Sequence, residues 1–107
     1  MYVALPGDEI VGVIGYSRDY LSNDSSYWLG WFAVREKHRR HHIGTMLLRR
    51  IEKDLKSMGQ RKVFVSTEDS NSVAKSFYTR NGFRTEGVIR DYYGNGEDEL
   101  IMSKALA

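Results

Sequence analysis

The stretch Arg39-Arg40-His41-His42-Ile43-Gly44-Thr45 opens the strongest helical pattern in the chain. Behind it, apolar residues recur mostly three or four positions apart, which is typical of an amphipathic helix. Gly59 follows the pattern, and glycine commonly stands just past the end of a helix. The stretch therefore predicts a basic turn followed by a helix over residues 43–58. The apolar stripe of this helix comprises Ile43, Leu47, Leu48, Ile51, Leu55 and Met58.

The start of this helix is predicted to bind an anion. The first backbone N–H groups of a helix lack intrahelical partners, and the helix dipole adds partial positive charge there. Two arginines and two histidines at residues 39–42 lie just ahead of that end. Gly44 has no Cβ and lets a ligand approach the backbone closely, while Thr45 adds a hydroxyl. A phosphate chain fits this set of groups.

A second loop-to-helix junction follows at Asn71-x-x-Ala74-x-x-Phe77-Tyr78-x-x-x-Gly82-Phe83. Ser70 or Asn71 is suited to cap a helix that runs to about Arg80, and Asn81-Gly82 is suited to end it. Tyr78 lies seven residues after Asn71, which is about two helical turns. The junction therefore offers an amide and a phenol on the same side of one helix.

Both junctions resemble motifs of the GNAT superfamily of N-acetyltransferases. Arg39-x-x-His42-x-Gly44 is similar to the superfamily's Gln/Arg-x-x-Gly-x-Gly/Ala motif, and His42 stands where the family usually has glycine. The segment from Asn71 to Phe83 resembles the next motif in register, and Phe32-Ala33-Val34 resembles the strand ahead of the phosphate loop. The resemblance covers roughly residues 9–104.

Strand patterns complete the predicted fold. Apolar and β-branched runs predict strands at residues 9–16, 27–34, 62–67, 83–93 and 98–104, with a polar loop at 17–26 and a hairpin turn at Gly94-Asn95-Gly96. The strand–helix–strand order around residues 27–67 predicts a parallel crossover, whereas the last two strands pair antiparallel. We therefore expect an α+β, GNAT-like fold: a mixed, mostly antiparallel sheet with a central parallel pair and at least two helices. The resemblance implies that the family's usual first strand and two helices are lacking.

Length and composition suit one folded domain. The chain has 107 residues, 41% of them hydrophobic, and no cysteine, so we expect a single acetyl-CoA-binding domain over residues 1–107 without disulfides. No apolar run is as long as a membrane span, and no signal peptide is visible. We expect a cytoplasmic protein. We also expect a homodimer, because lacking the family's first helices would leave sheet surface to cover.

The charges are unevenly spread along the chain. From Lys37 to Lys62 there are nine lysines and arginines against two acids, whereas residues 84–99 hold two arginines against five acids. The basic half suits an anionic coenzyme, and the acidic half suits a cationic amine. Alternatively, Glu97-Asp98-Glu99 is simply the solvated tip of a hairpin.

The resemblance implies an enzyme that moves an acetyl group from acetyl-CoA to a primary amine. Backbone groups of Phe32, Ala33 and Val34 would then pair with the pantetheine arm, because the family's parallel strands diverge there. The N–H groups from Arg39 to Thr45 would hold the pyrophosphate, and Asn71 and Phe77 would contact the arm from the other side. Tyr78, with an ordinary phenol pKa of about 10, would protonate the leaving thiolate.

The general base is the part of the site that the sequence leaves open. The last strands, with Arg90-Asp91-Tyr92-Tyr93, resemble the branch that acetylates alanine termini of ribosomal proteins. In that branch the base precedes the motif asparagine by five residues, and here this position is Ser66. Glu68 is the nearest carboxylate and is our candidate base. The acceptor stays open among a protein N-terminus, a lysine, a polyamine and a small amine.

The same residues are open to other functional interpretations. A non-catalytic acyl-CoA-binding domain would keep the coenzyme cleft without an acceptor pocket. The basic run at residues 37–42 is also a feature of nucleic-acid-binding proteins. His38 and His42 have an i, i+4 spacing that is used for metals, but no carboxylate nearby completes a ligand set. We therefore expect no metal, no membrane and no nucleic acid as partners.

Overall fold

A computed structural model describes residues 2–4, 12–18, 26–34 and 43–106, with side chains described at 27–29 and 43–106. The predicted alternation of strands and helices is present in this part of the chain. The elements, in chain order, are β1 (Tyr2–Ala4), β2 (Gly12–Arg18), β3 (Ser26–Val34), α1 (Ile43–Ser57), β4 (Lys62–Glu68), α2 (Ser72–Arg80), β5 (Arg84–Ile89) and β6 (Glu99–Ala105).

The strands form one six-stranded sheet in the order β1-β2-β3-β4-β6-β5. The pair β3–β4 is parallel, and the other neighbouring strands pair antiparallel. This confirms the mixed, mostly antiparallel sheet with a central parallel pair. The crossover from β3 through α1 to β4 is therefore the unit that the first sequence motif builds.

Several details of the strand prediction were wrong. Strand β2 continues to Arg18, inside the predicted loop, and β5 ends at Ile89 rather than at residue 93. Strand β1 was not predicted, because three residues carry too little periodicity to recognise. The last two strands are joined by a loop over residues 90–98 rather than by a tight turn at Gly94-Asn95-Gly96. Within it, the backbone N–H groups of Asp91 and Gly96 donate to the carboxylates of Asp98 and Asp91, at 2.9 and 2.6 Å. These aspartates offer the backbone an alternative to the strand ladder.

Both helices pack on one face of the sheet. Leu48, Ile51 and Leu55 of α1 are fully buried against the sheet, where they meet the fully buried Val63 of β4. Lys104 of β6 bonds to Glu52 of α1 at 3.0 Å, which marks the same side. We call this side of the sheet the helix face.

Residues that alternate with these project to the opposite side, which we call the far face. On it, the rings of Trp28 and Phe64 stack with centroids 5.1 Å apart. Ser103 donates a hydrogen bond to Glu86, which also pairs with Lys62 at 2.9 Å. The far face is thus aromatic and polar, whereas the helix face holds the core. Neither described helix is long and apolar enough to cross a membrane.

Candidate active site

Strands β3 and β4 separate partway along their length. Their parallel ladder has three pairs and ends at Trp28 opposite Phe64, although both strands continue. Beyond that point β3 remains paired with β2, with Phe32 opposite Ile14 and Val34 opposite Gly12. One backbone edge of residues 29–34 is therefore not used by β4. A coenzyme arm that pairs with backbone would fit along this edge.

A bulge lies where the strands separate. Trp31 pairs with Gly15 and Leu29 pairs with Tyr16, so Gly30 is left between two successive pairs. A bulge bends its strand and increases the local twist. Since the last pair with β4 is at Trp28, the bulge supplies a physical reason for the divergence. Phe32, Ala33 and Val34 lie just past it, where the resemblance placed the pantetheine contact.

The start of α1 lies at the predicted phosphate site. Arg39, Arg40, His41 and His42 are outside the described residues, and α1 begins at Ile43. Ile43 and Gly44 are buried, and Thr45 is half-buried. The Ile43 side chain belongs to the core, so only its backbone is suited to a ligand.

The start of α2 is held by Asn71. Its side-chain oxygen accepts a hydrogen bond from the N–H of Ala74 at 3.1 Å, which is the bond of an N-cap. The cap occupies the oxygen of the amide, whose NH₂ group carries two donors of its own. Asn71 is exposed. The cap and the predicted contact with the coenzyme arm therefore use different atoms of one side chain.

Replacing Asn71 separates these two roles. Serine caps a helix about as well as asparagine but lacks the amide donors. We expect Asn71→Ser to keep the melting temperature and to weaken acetyl-CoA binding roughly 3- to 10-fold, the value of one hydrogen bond. Asn71→Ala should show the same weakening and also lose about 1 kcal/mol of stability. Calorimetric titration beside thermal melting separates the two, and unchanged coenzyme affinity in the serine variant would leave Asn71 a cap alone.

Tyr78 is buried rather than open to solvent. It is 7% exposed, and its ring lies 5.5 Å from that of Phe77 and 5.3 Å from that of Phe83. Burial raises the pKa of Tyr78 to about 12, which is above the ordinary value that the sequence suggested. The phenol therefore stays protonated throughout the neutral range. Phe77 is half-buried and packs against the same core.

The candidate base Glu68 lies on the far face, on the opposite side of the sheet from Tyr78. Glu68 ends β4, is exposed and stands opposite Glu99 of β6. Glu99 is 8% exposed and accepts a hydrogen bond from the Tyr93 hydroxyl at 2.9 Å. This bond is the leading cause that raises the pKa of Tyr93 to about 12. The sequence placed Glu99 both in the strand predicted over residues 98–104 and in a possible solvated tip, and the structure makes it a buried residue of β6.

The described residues contain no group of three side chains suited to hold a metal ion. His38, His41 and His42, which suggested a possible metal site, lie outside the described part of the chain. The gap between β3 and β4, the start of α1 and the helix α2 remain as the elements of the site. They present backbone N–H groups, an amide and a phenol.

The family follows from comparison with known sequences. A profile described as the acetyltransferase (GNAT) family matches residues 1–83. An N-alpha-acetyltransferase of Sulfurisphaera tokodaii is 39% identical over 75 residues, which is 69% of this chain and 45% of that protein. The chain belongs to the acetyltransferase (GNAT) family. It spans less than half the length of this curated relative.

Solved structures agree with the fold. A Desulfovibrio desulfuricans protein assigned to the GNAT family superposes with a TM-score of 0.91 at 27% identity, covering 98% of this chain and 68% of that one. An aminoglycoside 6'-N-acetyltransferase in complex with coenzyme A shares the fold, with a TM-score of 0.86 at 23% identity and coverage of 98% and 71%. The expected GNAT-like fold is thereby confirmed.

Proposed function

We propose that this chain transfers an acetyl group from acetyl-CoA to a primary amine, and that the α-amine of a peptide is its best acceptor. The observation that carries the proposal is the gap between β3 and β4, bordered by the starts of α1 and α2. A long, thin ligand with phosphates at one end fits such a gap, since a helix N-terminus binds phosphate. Coenzyme A is present in one related structure.

The reaction combines loss of protons from the amine with gain of a proton by the leaving sulfur. The amine must lose one proton before its nitrogen can attack the thioester carbon, and a C–N bond forms as the C–S bond breaks. The thiolate that leaves takes a proton from Tyr78, the new amide nitrogen loses its second proton, and the phenolate of Tyr78 is reprotonated from solvent. Although burial raises the pKa of Tyr78 to about 12, the same apolar surroundings raise that of a thiol. The phenol therefore remains a suitable donor to a thiolate formed beside it.

The acceptor class follows from the availability of neutral amine. An α-amine of pKa about 8 is roughly a tenth neutral at pH 7, whereas a lysine of pKa about 10.4 is less than a thousandth neutral. The α-amine thus needs less help from a base. The relative from Sulfurisphaera tokodaii is named as an N-alpha-acetyltransferase, which supports the same choice.

The proposal is tested by thiol release from acetyl-CoA with a pair of matched peptides. One peptide has a free N-terminus and no lysine, and the other has a blocked N-terminus and one lysine. We expect thiol release with the first at a rate well above that with the second. Equal rates would contradict the acceptor assignment. Coenzyme binding without thiol release from any amine would favour a non-catalytic acyl-CoA-binding domain.

We also propose that the chain forms a homodimer through β5. This strand lies at the edge of the sheet and exposes Val88 and Ile89, at 50% and 44%. An edge strand with exposed apolar residues pairs readily with another strand, and a lysine there opposes pairing. We expect a dimer by sedimentation at tens of micromolar and a monomer for Val88→Lys. Val73→Lys on α2, where Val73 is 69% exposed, is the matched control, and a monomeric wild type would contradict the proposal.

A further inference from the structure

Glu99 is a carboxylate that is buried at the start of β6. It is 8% exposed, and in the part of the chain that the structure describes it accepts one hydrogen bond, from Tyr93 at 2.9 Å, and makes no salt bridge. Burial of an ionised carboxylate is unfavourable unless it is paired and hydrogen-bonded. A carboxylate has two oxygens and several acceptor positions. Glu99 therefore retains the capacity to receive a cation.

The sheet register places Glu99 one strand away from the gap between β3 and β4. Glu99 stands opposite Glu68, and Ser66 stands opposite Ile101, across the β4–β6 ladder. Opposite residues of an antiparallel pair share a face, and so do alternate residues of a strand. Glu99 and Ser66 are thus diagonal neighbours on the far face. Since β4 borders the gap and β6 lies one strand spacing of about 4.8 Å from β4, Glu99 lies within two strands of the reacting groups.

Glu99 and Tyr78 belong to opposite sides of the sheet. Leu100 and Met102, the strand neighbours that alternate with Glu99, are buried in the core that contains Tyr78. An amine on the far face would therefore attack the thioester from one side while the sulfur leaves toward the other. A base on the first side and an acid on the second match that direction of attack.

We propose that Glu99, held by Tyr93, binds the ammonium form of the acceptor amine and takes the proton that this amine must lose before attack. The inference rests on the acetyl transfer proposed above and names its base. One proton passes from the ammonium nitrogen to the Glu99 carboxylate, directly or through water, and is released to solvent. A second leaves the same nitrogen after the C–N bond forms, and this loss balances the proton that the sulfur receives.

The surroundings of Glu99 favour it over Glu68 as the general base. Strand β4 presents Glu68, the loop before β6 presents Tyr93 with Tyr92 packed on its ring at 5.1 Å, and β5 presents Ile89. Glu68 is exposed and its side chain bonds to none of the other described residues, whereas Glu99 is buried and accepts a hydrogen bond from Tyr93. Tyr93 is 47% exposed, so the pair can be reached from outside. A second nearby carboxylate adds to the attraction for a cation.

The test compares Glu99→Gln with wild type across pH, using the peptide with the free N-terminus. At pH 7 we expect kcat/KM for the peptide to fall roughly 10²-fold. The deficit should shrink as pH passes the amine pKa of about 8, because the amine then arrives neutral. The melting temperature of Glu99→Gln and its Kd for acetyl-CoA should equal those of wild type. A loss that is the same at every pH, or no loss, would overturn the proposal.

Matched variants separate this role from a structural one. Glu86→Gln changes a carboxylate of the neighbouring strand that is engaged by Ser103 and Lys62, and we expect wild-type rates from it. Tyr93→Phe leaves the Glu99 carboxylate in place and removes the hydroxyl that holds it. We therefore expect a smaller fall in kcat/KM than in Glu99→Gln, with the same dependence on pH. A Tyr93→Phe profile parallel to that of wild type would contradict the positioning role.

Binding distinguishes failure of this inference from failure of the proposed function. In the presence of coenzyme A, which carries no acetyl group, the peptide amine should bind wild type roughly 10-fold more tightly than Glu99→Gln, or about 1.4 kcal/mol. That difference would support the amine site even if no acetyl transfer occurred. Equal affinity of wild type and Glu99→Gln for the peptide would contradict an amine site at Glu99, whether or not the wild type is active.

Discussion

Tyr78→Phe is expected to lower the rate of acetyl transfer roughly 10²-fold or more while leaving acetyl-CoA affinity nearly unchanged. The phenylalanine keeps the ring that packs against Phe77 and Phe83 and removes the proton donor. The loss should appear in kcat, since leaving-group protonation belongs to the transition state. The measurement is thiol release at saturating acetyl-CoA. A wild-type kcat would leave Tyr78 as a core residue.

The same variant has a built-in control for its fold. Burial raises the pKa of Tyr78 to about 12, above the unfolded value of 10.0, so the protonated phenol favours the folded state. That contribution is fully present below pH 10 and is lost as pH rises toward 12. We therefore expect wild type to lose more stability than Tyr78→Phe between these pH values. Parallel alkaline melting curves would contradict the buried environment.

Gly44→Val is expected to abolish the stabilisation that acetyl-CoA gives the folded chain. A ligand at 100 times its Kd stabilises a protein by about 2.7 kcal/mol, which shifts the melting temperature of a domain this size by many degrees. Gly44 is the second residue of α1, at the predicted pyrophosphate site. A branched side chain there blocks the approach of phosphate to the backbone N–H groups.

The control for Gly44→Val is Met46→Val. Met46 lies on the same helix and is 56% exposed, so it receives the same new side chain away from the core. Gly44 is buried, so its replacement also changes the stability of the free chain. The melting temperature of Gly44→Val with acetyl-CoA is therefore compared with that of the same variant without acetyl-CoA. A full coenzyme shift in Gly44→Val would place the pyrophosphate elsewhere, whereas loss of the shift in both variants would point to a general effect on α1.

Much of the fold was predictable because its signals are local. The stripe from Ile43 to Leu55 predicted α1, and Gly59, with φ of +80°, ends it as expected. Asn71 caps α2 as its position suggested. The parallel crossover followed from the order of these elements, since parallel strands need a long connection. Two well-marked helices with a strand before each thus define the centre of the molecule.

The site was harder to predict because it depends on pairing between distant residues. The strand predicted over residues 98–104 included Asp98 and Glu99, but no local pattern showed which of the acids at 97–99 would be buried. The structure separates them: Glu97 accepts from the N–H of Ser70 at 2.9 Å, Asp98 from that of Asp91, and Glu99 enters β6. Burial of Glu99 follows from the register with β4, which no local pattern encodes.

The raised pKa of Tyr78 could not be predicted from the sequence either. Helical spacing placed Tyr78 two turns past Asn71 but could not reveal how closely Phe83 would pack on it. That contact arises because Gly82, with φ of +93°, turns the chain back after α2, and the N–H of Phe83 bonds to the Tyr78 carbonyl at 2.9 Å. A glycine that permits this turn thereby sets the environment of the proposed acid.

Transfer of an acetyl group to an α-amine is tested most directly by the mass of the acceptor after incubation with acetyl-CoA. The acceptor is a peptide that carries both a free N-terminus and one lysine, and fragmentation locates the added group. We expect one acetyl group on the α-amine, and we expect its formation to depend on Tyr78 and Glu99. A peptide that stays unmodified while the chain binds acetyl-CoA, or that gains its acetyl group on the lysine, would contradict this expectation.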